Sequence, residues 1–307
     1  VGFLLYSQYQ AQAELHRAAL GRFISESDKR AGAAANFLTD RMNDIAQLAE
    51  NRDLALYYEN KALGMTMEYG LAASLTVAEE LFSSFRKRKR LQDTELFIRI
   101  VYLDASGRKM LDLRDPASPD DHKVHWRSYL KPDQRKPHYQ FERSRPVDSI
   151  VVSHPVLFKG EYVGQIVGWI PISLVYSHYL AATSPDSTFQ TALCFDNRYI
   201  LIPPDLERII PRDQLPEPHV VKSRSPHWIQ LPKDRNGQQQ EVLATCSPLE
   251  QTPFAMVTFY RGHGSQDEQH SRLLLYAMGG VGLLLICGGV VYLRTSIRNA
   301  RLQVHLE

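Results

Sequence analysis

Few side chains in this 307-residue chain stand where covalent chemistry could use them. Ser153 and His154 are adjacent in IVVSHPVLF. In a strand, neighbours point to opposite faces, so this pair cannot serve one substrate as nucleophile and base. Asp120, Asp121, His122 and His125 form DDHKVH, a set of carboxylates and imidazoles that could hold a divalent cation. In a polar loop rich in Pro and Asp, a solvated surface is the competing reading. The sequence holds no H-E-x-x-H, G-x-S-x-G, P-loop or C-x-x-C pattern. No catalytic constellation, metal or cofactor is therefore expected. The run RKRKR, Arg86 to Arg90, resembles a nucleic-acid or targeting patch. At the end of a helical pattern it reads instead as a solvated face whose cations suit the helix C-terminus.

Composition fits a folded chain, with 44% hydrophobic residues, 23% charged residues and a net charge of +2, so nothing points to nucleic acid. Apolar residues at Leu15, Ala19, Phe23, Phe37 or Leu38, Met42, Ile45 and Leu48 recur at helical spacing. One long helix is expected up to Asn51, with Gly21 and Gly32 as weak points, and a second helix over Leu71 to Arg90. The stripe on the first helix is long enough to serve a symmetric homodimer as well as its own modules.

Strand grammar follows, and it repeats. FIRIVYLDASGRKMLD (Phe97 to Asp112) reads as a hairpin turning at Asp104-Ala-Ser-Gly107, and TALCFDNRYILIPPD (Thr191 to Asp205) repeats it with Asp196 at the turn. IVVSHPVLFKGEYVGQIVGWIPISL (Ile150 to Leu174) is echoed in EVLATCSPLEQTPFAMVTFY (Glu241 to Tyr260), Pro155 matching Pro248. The two landmarks are offset by 92 and 93 residues, which argues for two copies of one module. Cys194 and Cys246 lie in the second copy, where an oxidising compartment would permit a disulfide.

The longest apolar run is LLLYAMGGVGLLLICGGVVYL, Leu273 to Leu293, which carries no charge and has the ~20 residues that a helix needs to cross a bilayer. Tyr276 and Tyr292 suit the interfacial belt, and Arg294, Arg298 and Arg301 suit a cytoplasmic flank. VGFLLY at the other end reads as the tail of a first span, so the chain is expected to be a fragment whose large loop is extracytoplasmic.

This succession of a long helix, VYLDASGRKMLD, WRSYL, VVSHPVLFKGEYVGQIVGWIPISL, a shorter second copy and a closing span resembles the double Cache sensor regions of bacterial transmembrane receptors. The resemblance covers nearly the whole chain. It implies an α+β fold: a long N-terminal spine helix and two tandem PAS-like Cache modules with antiparallel sheets flanked by helices, followed by a transmembrane helix. Residues 1–6 would end a first span, 7–50 form the spine, and 51–182 form the membrane-distal module. The proximal module would take 183–270, the second span 271–293, and a cytoplasmic linker would begin at 294–307.

In that family the distal module holds the ligand between its sheet and a segment bearing Arg-x-aromatic-aromatic, which Arg127 and Tyr129 match here and Leu130 does not. A guanidinium can clamp a carboxylate, and Tyr129 with Trp126 would wall off water. The competing arrangement has Arg127 on the surface and Tyr129 in the core. Ser153 completes the candidate set. Amino-acid-binding members carry an Asp before the Ile172-Ser173-Leu174 stretch, where this chain has Pro171, so a small anion or carboxylate is the expected ligand. The implied role is signal input at the bacterial inner membrane for a cytoplasmic output, with a histidine kinase favoured. A chemoreceptor or diguanylate cyclase output stays open. An anchored extracytoplasmic enzyme and a structural partner-binding protein are the rivals from other classes.

Overall fold

The computed structural model describes residues 2–115, 125–133, 135–143, 147–181, 189–210, 212, 215–218, 221, 226–230, 241–260, 280 and 285–296. One helix, α1 (Gly2–Ala49), opens the chain. At 1.5 Å per residue it is about 72 Å long. α1 runs unbroken through Gly21 and Gly32, and both positions face open space. Asn51 then caps α2 (Arg52–Ala62) by accepting from the Asp53 N–H at 2.8 Å. A wide turn at Met67–Leu71, where Gly70 takes φ +100°, leads into α3 (Ala72–Arg88).

After a minimal hairpin, β1 (Arg90–Leu91) and β2 (Thr94–Glu95), come the strands of the first large sheet. They are β3 (Arg99–Asp104), β4 (Lys109–Arg114), β5 (His138–Glu142), β6 (Ser149–Phe158) and β7 (Glu161–Pro171). Two short helical turns, α4 (Ile172–Val175) and Tyr176–Leu180, close that half. The second sheet comprises β8 (Phe189–Phe195), β9 (Arg198–Leu201), β10 (His227–Gln230), β11 (Glu241–Pro248) and β12 (Phe254–Tyr260), with α5 (Pro204–Ile209) after β9.

The strand orders are β4-β3-β7-β6-β5 and β9-β8-β12-β11-β10, all antiparallel. Each strand of the first sheet thus has a counterpart in the second, and the two offsets in the sequence fall on corresponding hairpins. The turns are made differently. Asp104 Oδ1 accepts from the N–H groups of Ser106 and Arg108 at 2.9 Å, with Gly107 at φ +85°. In the second copy Asp196 and Asn197 both take positive φ, as a two-residue hairpin loop of matching twist requires.

α1 packs on both sheets. Its buried Leu38, Met42 and Ile45 join Ile100, Tyr102, Ile150, Val152, Ile166 and Ile170 in one core, so alternate residues of β3, β6 and β7 face the helix. Gly168 permits that approach: a Cβ there would lie 2.8 Å from Ile45 Cδ1 and 2.9 Å from a Phe97 ring carbon. Toward the second sheet the contact changes character. Phe23 stacks on Phe189 at 5.6 Å, and beside it Ser27 Oγ meets the hydroxyls of Ser247 at 3.1 Å and Thr258 at 3.0 Å. Ser247 also donates to Asp28 at 2.8 Å.

The expected stripe is therefore buried at Phe23, Phe37, Leu38, Met42, Ile45 and Leu48 by the chain's own sheets, while Ala19 is exposed. The basic run is less solvated than its composition suggests. Arg86 pairs with Glu95 at 3.1 Å, and Lys89 pairs at 2.6 Å with Asp44, which is 4% exposed and also holds Arg41. Arg90 donates to the Asp93 carbonyl.

Among the described residues no helix is long and apolar enough to cross a membrane. Most of the run Leu273 to Leu293 lies outside them, and its described end, 285–296, is helical with Leu285, Ile286, Val291, Tyr292 and Leu293 exposed.

Candidate functional site

The face of the first sheet turned away from α1 carries Arg99, Val101 and Leu103 from β3, Gln165, Val167 and Trp169 from β7, and Val151 and Ser153 from β6. Alternation in each strand sets this, and the rungs Arg99–Trp169–Val151, Val101–Val167–Ser153 and Leu103–Gln165–Pro155 align the residues across the sheet. β5 adds His138 opposite Ser153 and Glu142 opposite Ser149. Trp126–Tyr129 forms a single 3-10 turn laid over this face.

That turn places the expected residues unequally. Tyr129 is buried, packs edge-on against Trp169 at 5.4 Å, and donates to Glu142 Oε2 at 2.6 Å. Trp169 Nε1 donates to the same oxygen at 2.8 Å. Trp126 stands edge-on to Trp169 at 6.2 Å. Arg127, in contrast, is exposed: its stem lies over Gly107, where a Cβ would be 2.8 Å from Arg127 Cγ, and its Nε donates to the Ser106 carbonyl at 3.3 Å. The β3–β4 turn holds Arg127 outside this face. Ser153 is buried on the face, as alternation requires.

Two cations stand against these aromatic rings, Lys109, whose Nζ lies 5.1 Å from the Trp126 ring, and Arg99, which no motif in the sequence marks. It is 3% exposed, and its guanidinium carbon lies 4.8 Å from the Trp126 ring and 5.7 Å from the Trp169 ring. Its Nε and Nη2 donate to the two oxygens of Asp112 at 2.9 and 2.6 Å, and Lys109 reaches the same carboxylate at 2.9 Å. Burial works to raise the Asp112 pKa, but the bonds from Arg99 and Lys109 outweigh it and hold the carboxyl below its ordinary range.

The other end of the face is polar and uncharged. Ser153 Oγ lies 3.0 and 2.9 Å from Nδ1 and Nε2 of His138, and Gln140 reaches that ring at 3.4 Å. With both nitrogens nearly equidistant, neither is aligned on the serine oxygen. His154, on the opposite face, bonds the Pro155 carbonyl through Nδ1 at 2.9 Å. His125 is exposed, and Asp120, Asp121 and His122 lie outside the described residues.

Burial lowers the His138 pKa below 6.5, the nearby charge of Lys131 lowers it further, and a backbone bond to Lys136 opposes both. The folded state therefore binds fewer protons than the unfolded chain. The stability this gives is present above about pH 6.5 and is lost as pH falls below it toward the folded pKa. Urea midpoints are expected to drop between about pH 7 and pH 5, and His138→Gln should flatten that limb. An unchanged slope in the variant would sink the assignment.

The second sheet fills most of the corresponding face with apolar side chains. Its rung Cys194–Ala255–Pro248 corresponds to Leu103–Gln165–Pro155, and Ala192–Val257–Cys246 corresponds to Val101–Val167–Ser153. Gln165 and Ser153 are thus Ala255 and Cys246 in the second copy, and Trp169 is Phe259. Those residues pack with Leu206, Ile210 and Val221 into an apolar cluster. Cys194 and Cys246 are free, buried thiols, both pushed up in pKa by burial. Ten residues separate Pro155 from Gln165 but seven separate Pro248 from Ala255, so only the strand ladders match Gln165 to Ala255, and neither it nor Arg99 nor His138 carried a signal in the sequence.

No family model and no curated relative matches the sequence. Solved structures do share the fold. The ligand-binding domain of the Campylobacter jejuni chemoreceptor Tlp3, in complex with L-norvaline, superposes with a TM-score of 0.57 at 11% identity, covering 80% of this chain and 92% of that one. The ligand-binding domain of the Pseudomonas fluorescens chemoreceptor CtaA, in complex with L-leucine, gives 0.53 at 16%, covering 81% and 97%. The extracellular domain of vpHK1S-Z8, assigned to the histidine kinases, gives 0.52 at 17%, covering 79% and 94%. The first two are named as ligand-binding domains and the third as an extracellular domain. This chain shares their fold.

Proposed function

We propose that this chain is the extracytoplasmic sensing region of a bacterial receptor. It binds a small carboxylate or other small anion on the outer face of the first, membrane-distal sheet and relays occupancy across the inner membrane through the span at 271–293. The observation that carries this reading is the contrast between the two copies. The face carries the buried polar groups Gln165 and Ser153 in the first sheet, where the second has Ala255 and Cys246 on the corresponding rungs. Polar groups in a core are costly unless they serve a purpose, and the second copy shows that the fold does not need them. Pro171 stands where amino-acid-binding members of the resembled family carry an Asp, which disfavours an amino acid as ligand.

The relay runs through β5. His138 faces the site, while Tyr139, its neighbour, faces the helix side, donates to the Leu38 carbonyl of α1 at 3.1 Å and packs on Phe254 of the second sheet at 5.7 Å. A ligand that favours one position of β5 thereby favours one arrangement of α1 and the second sheet. The output is a histidine kinase and the assembly a homodimer along α1, using the part of the helix before Phe23, since Phe23 itself is sealed by Phe189 and Tyr260.

Thermal-shift titration tests the reading with L-amino acids, short mono- and dicarboxylates and phosphate. A binder raises the melting temperature by mass action. Carboxylates are expected to do so, Ser153→Leu to weaken them at least about tenfold, and Arg127→Ala to leave them within about twofold. A chain that no probe stabilises, or a binder indifferent to Ser153→Leu, would overturn the placement of the site.

A further inference from the structure

Gln165 is 0% exposed and sits at the centre of β7, between Leu103 and Pro155. A hydrogen-bonded chain fixes which end of its amide does what. The Lys131 backbone bonds the Tyr162 phenol, whose pKa burial pushes up to about 12, and the Tyr162 hydroxyl donates to Gln165 Oε1 at 3.0 Å. The carbonyl end is thereby occupied, which leaves the NH2 end to find another partner. Among the described residues Gln165 Nε2 meets no hydrogen-bond partner. A buried donor left unmade is costly, and the second copy of the module avoids it by placing Ala255 on the same rung.

We infer that Gln165 Nε2, together with the Ser153–His138 pair one rung away, is the recognition centre for a carboxylate oxygen of the ligand, displaced along the sheet from the Trp126–Tyr129 turn. This rests on the sensing function proposed above and goes beyond it by naming the groups that read the ligand. The surroundings agree in sign. The charged group that acts on His138 is Lys131, half-buried on the segment between the 3-10 turn and β5, and the remaining contacts of that ring, Ser153, Gln140 and the Lys136 backbone, are neutral. The Trp126 end is already filled by the chain's own Arg99 guanidinium, which leaves the Gln165 end as the one with an unanswered donor.

Calorimetry on the purified chain decides this, with propionate, pyruvate and succinate as probes and propionamide as the uncharged control. At least one carboxylate is expected to bind, and Gln165→Leu to weaken it about tenfold or more without lowering the melting temperature of the ligand-free protein, since the variant removes an unmet donor. Gln165→Glu, where it folds, should weaken it about a hundredfold through like-charge repulsion. Tyr162→Phe, which releases the amide to rotate, should give a smaller loss and narrow the preference for carboxylate over propionamide. If Ser153→Leu abolishes carboxylate binding while Gln165→Leu leaves it unchanged, Gln165 is not the reader and the site on this face still stands. If neither variant matters, both fail. If no carboxylate binds the wild type but another class does and Ser153→Leu removes it, the carboxylate assignment fails alone.

Discussion

Gly164→Ala is expected to destabilise the protein by about 3 kcal/mol, the upper end of what overpacking a core costs. In β7 this residue lies opposite both Asp104 of β3 and Val156 of β6. A Cβ there would stand 2.3 Å from the Leu103 carbonyl oxygen and 2.9 Å from a ring carbon of Tyr102, which is 0% exposed. A side chain could turn away, but the carbonyl belongs to the β3–β7 ladder and can move only if that pairing opens. The loss corresponds to a fall of roughly 6–12 °C in Tm for a domain of this size. Gly32→Ala supplies a control of opposite sign. It lies within α1 with open space around it, so alanine should stabilise by about 0.5–1 kcal/mol. Thermal unfolding followed by circular dichroism reads both, and a Gly164→Ala protein melting with the wild type would refute the close contact.

Arg99→Met should cost about 2–3 kcal/mol. Removing one partner of a buried ion pair leaves the other charge uncompensated, an effect of about 3–5 kcal/mol when the survivor has nothing else. Here Asp112 keeps Lys109 and is 19% exposed, which lowers the expectation. The pH dependence is the sharper test. With its pKa held below the ordinary 3.8, Asp112 contributes stability that is present above that value and lost as pH falls through the folded pKa. Arg99→Met should therefore flatten the acid limb of stability against pH, and Arg99→Met with Asp112→Leu should recover much of the loss at neutral pH. Urea unfolding from acid to neutral pH measures this. An acid limb as steep as the wild type's would mean that the ion pair does not set the Asp112 pKa.

Much of this protein is determined locally. The stripe at Phe23, Leu38, Met42, Ile45 and Leu48 selects a helix because those positions share one face at 3.6 residues per turn. The Asp104 and Asp196 turns select hairpins because their side chains and positive φ angles satisfy the bend within a few residues. Both the repeat and the opposite directions of Ser153 and His154 follow from the same short-range rules. What occupies the outer face was decided by pairings between distant segments. Ser153 meets His138 because β5 lies beside β6, and Arg99 stands between Trp126 and Trp169 because β3 is inserted between β4 and β7. Arg127 matched the resemblance in sequence, yet its direction depends on Gly107, a residue of another hairpin, whose missing side chain leaves the place where the arginine stem lies. Alternation tells which face a residue takes. Only the long-range register tells which neighbours it finds there, and with them whether its charge is answered, as for Arg99, or its donor left open, as for Gln165.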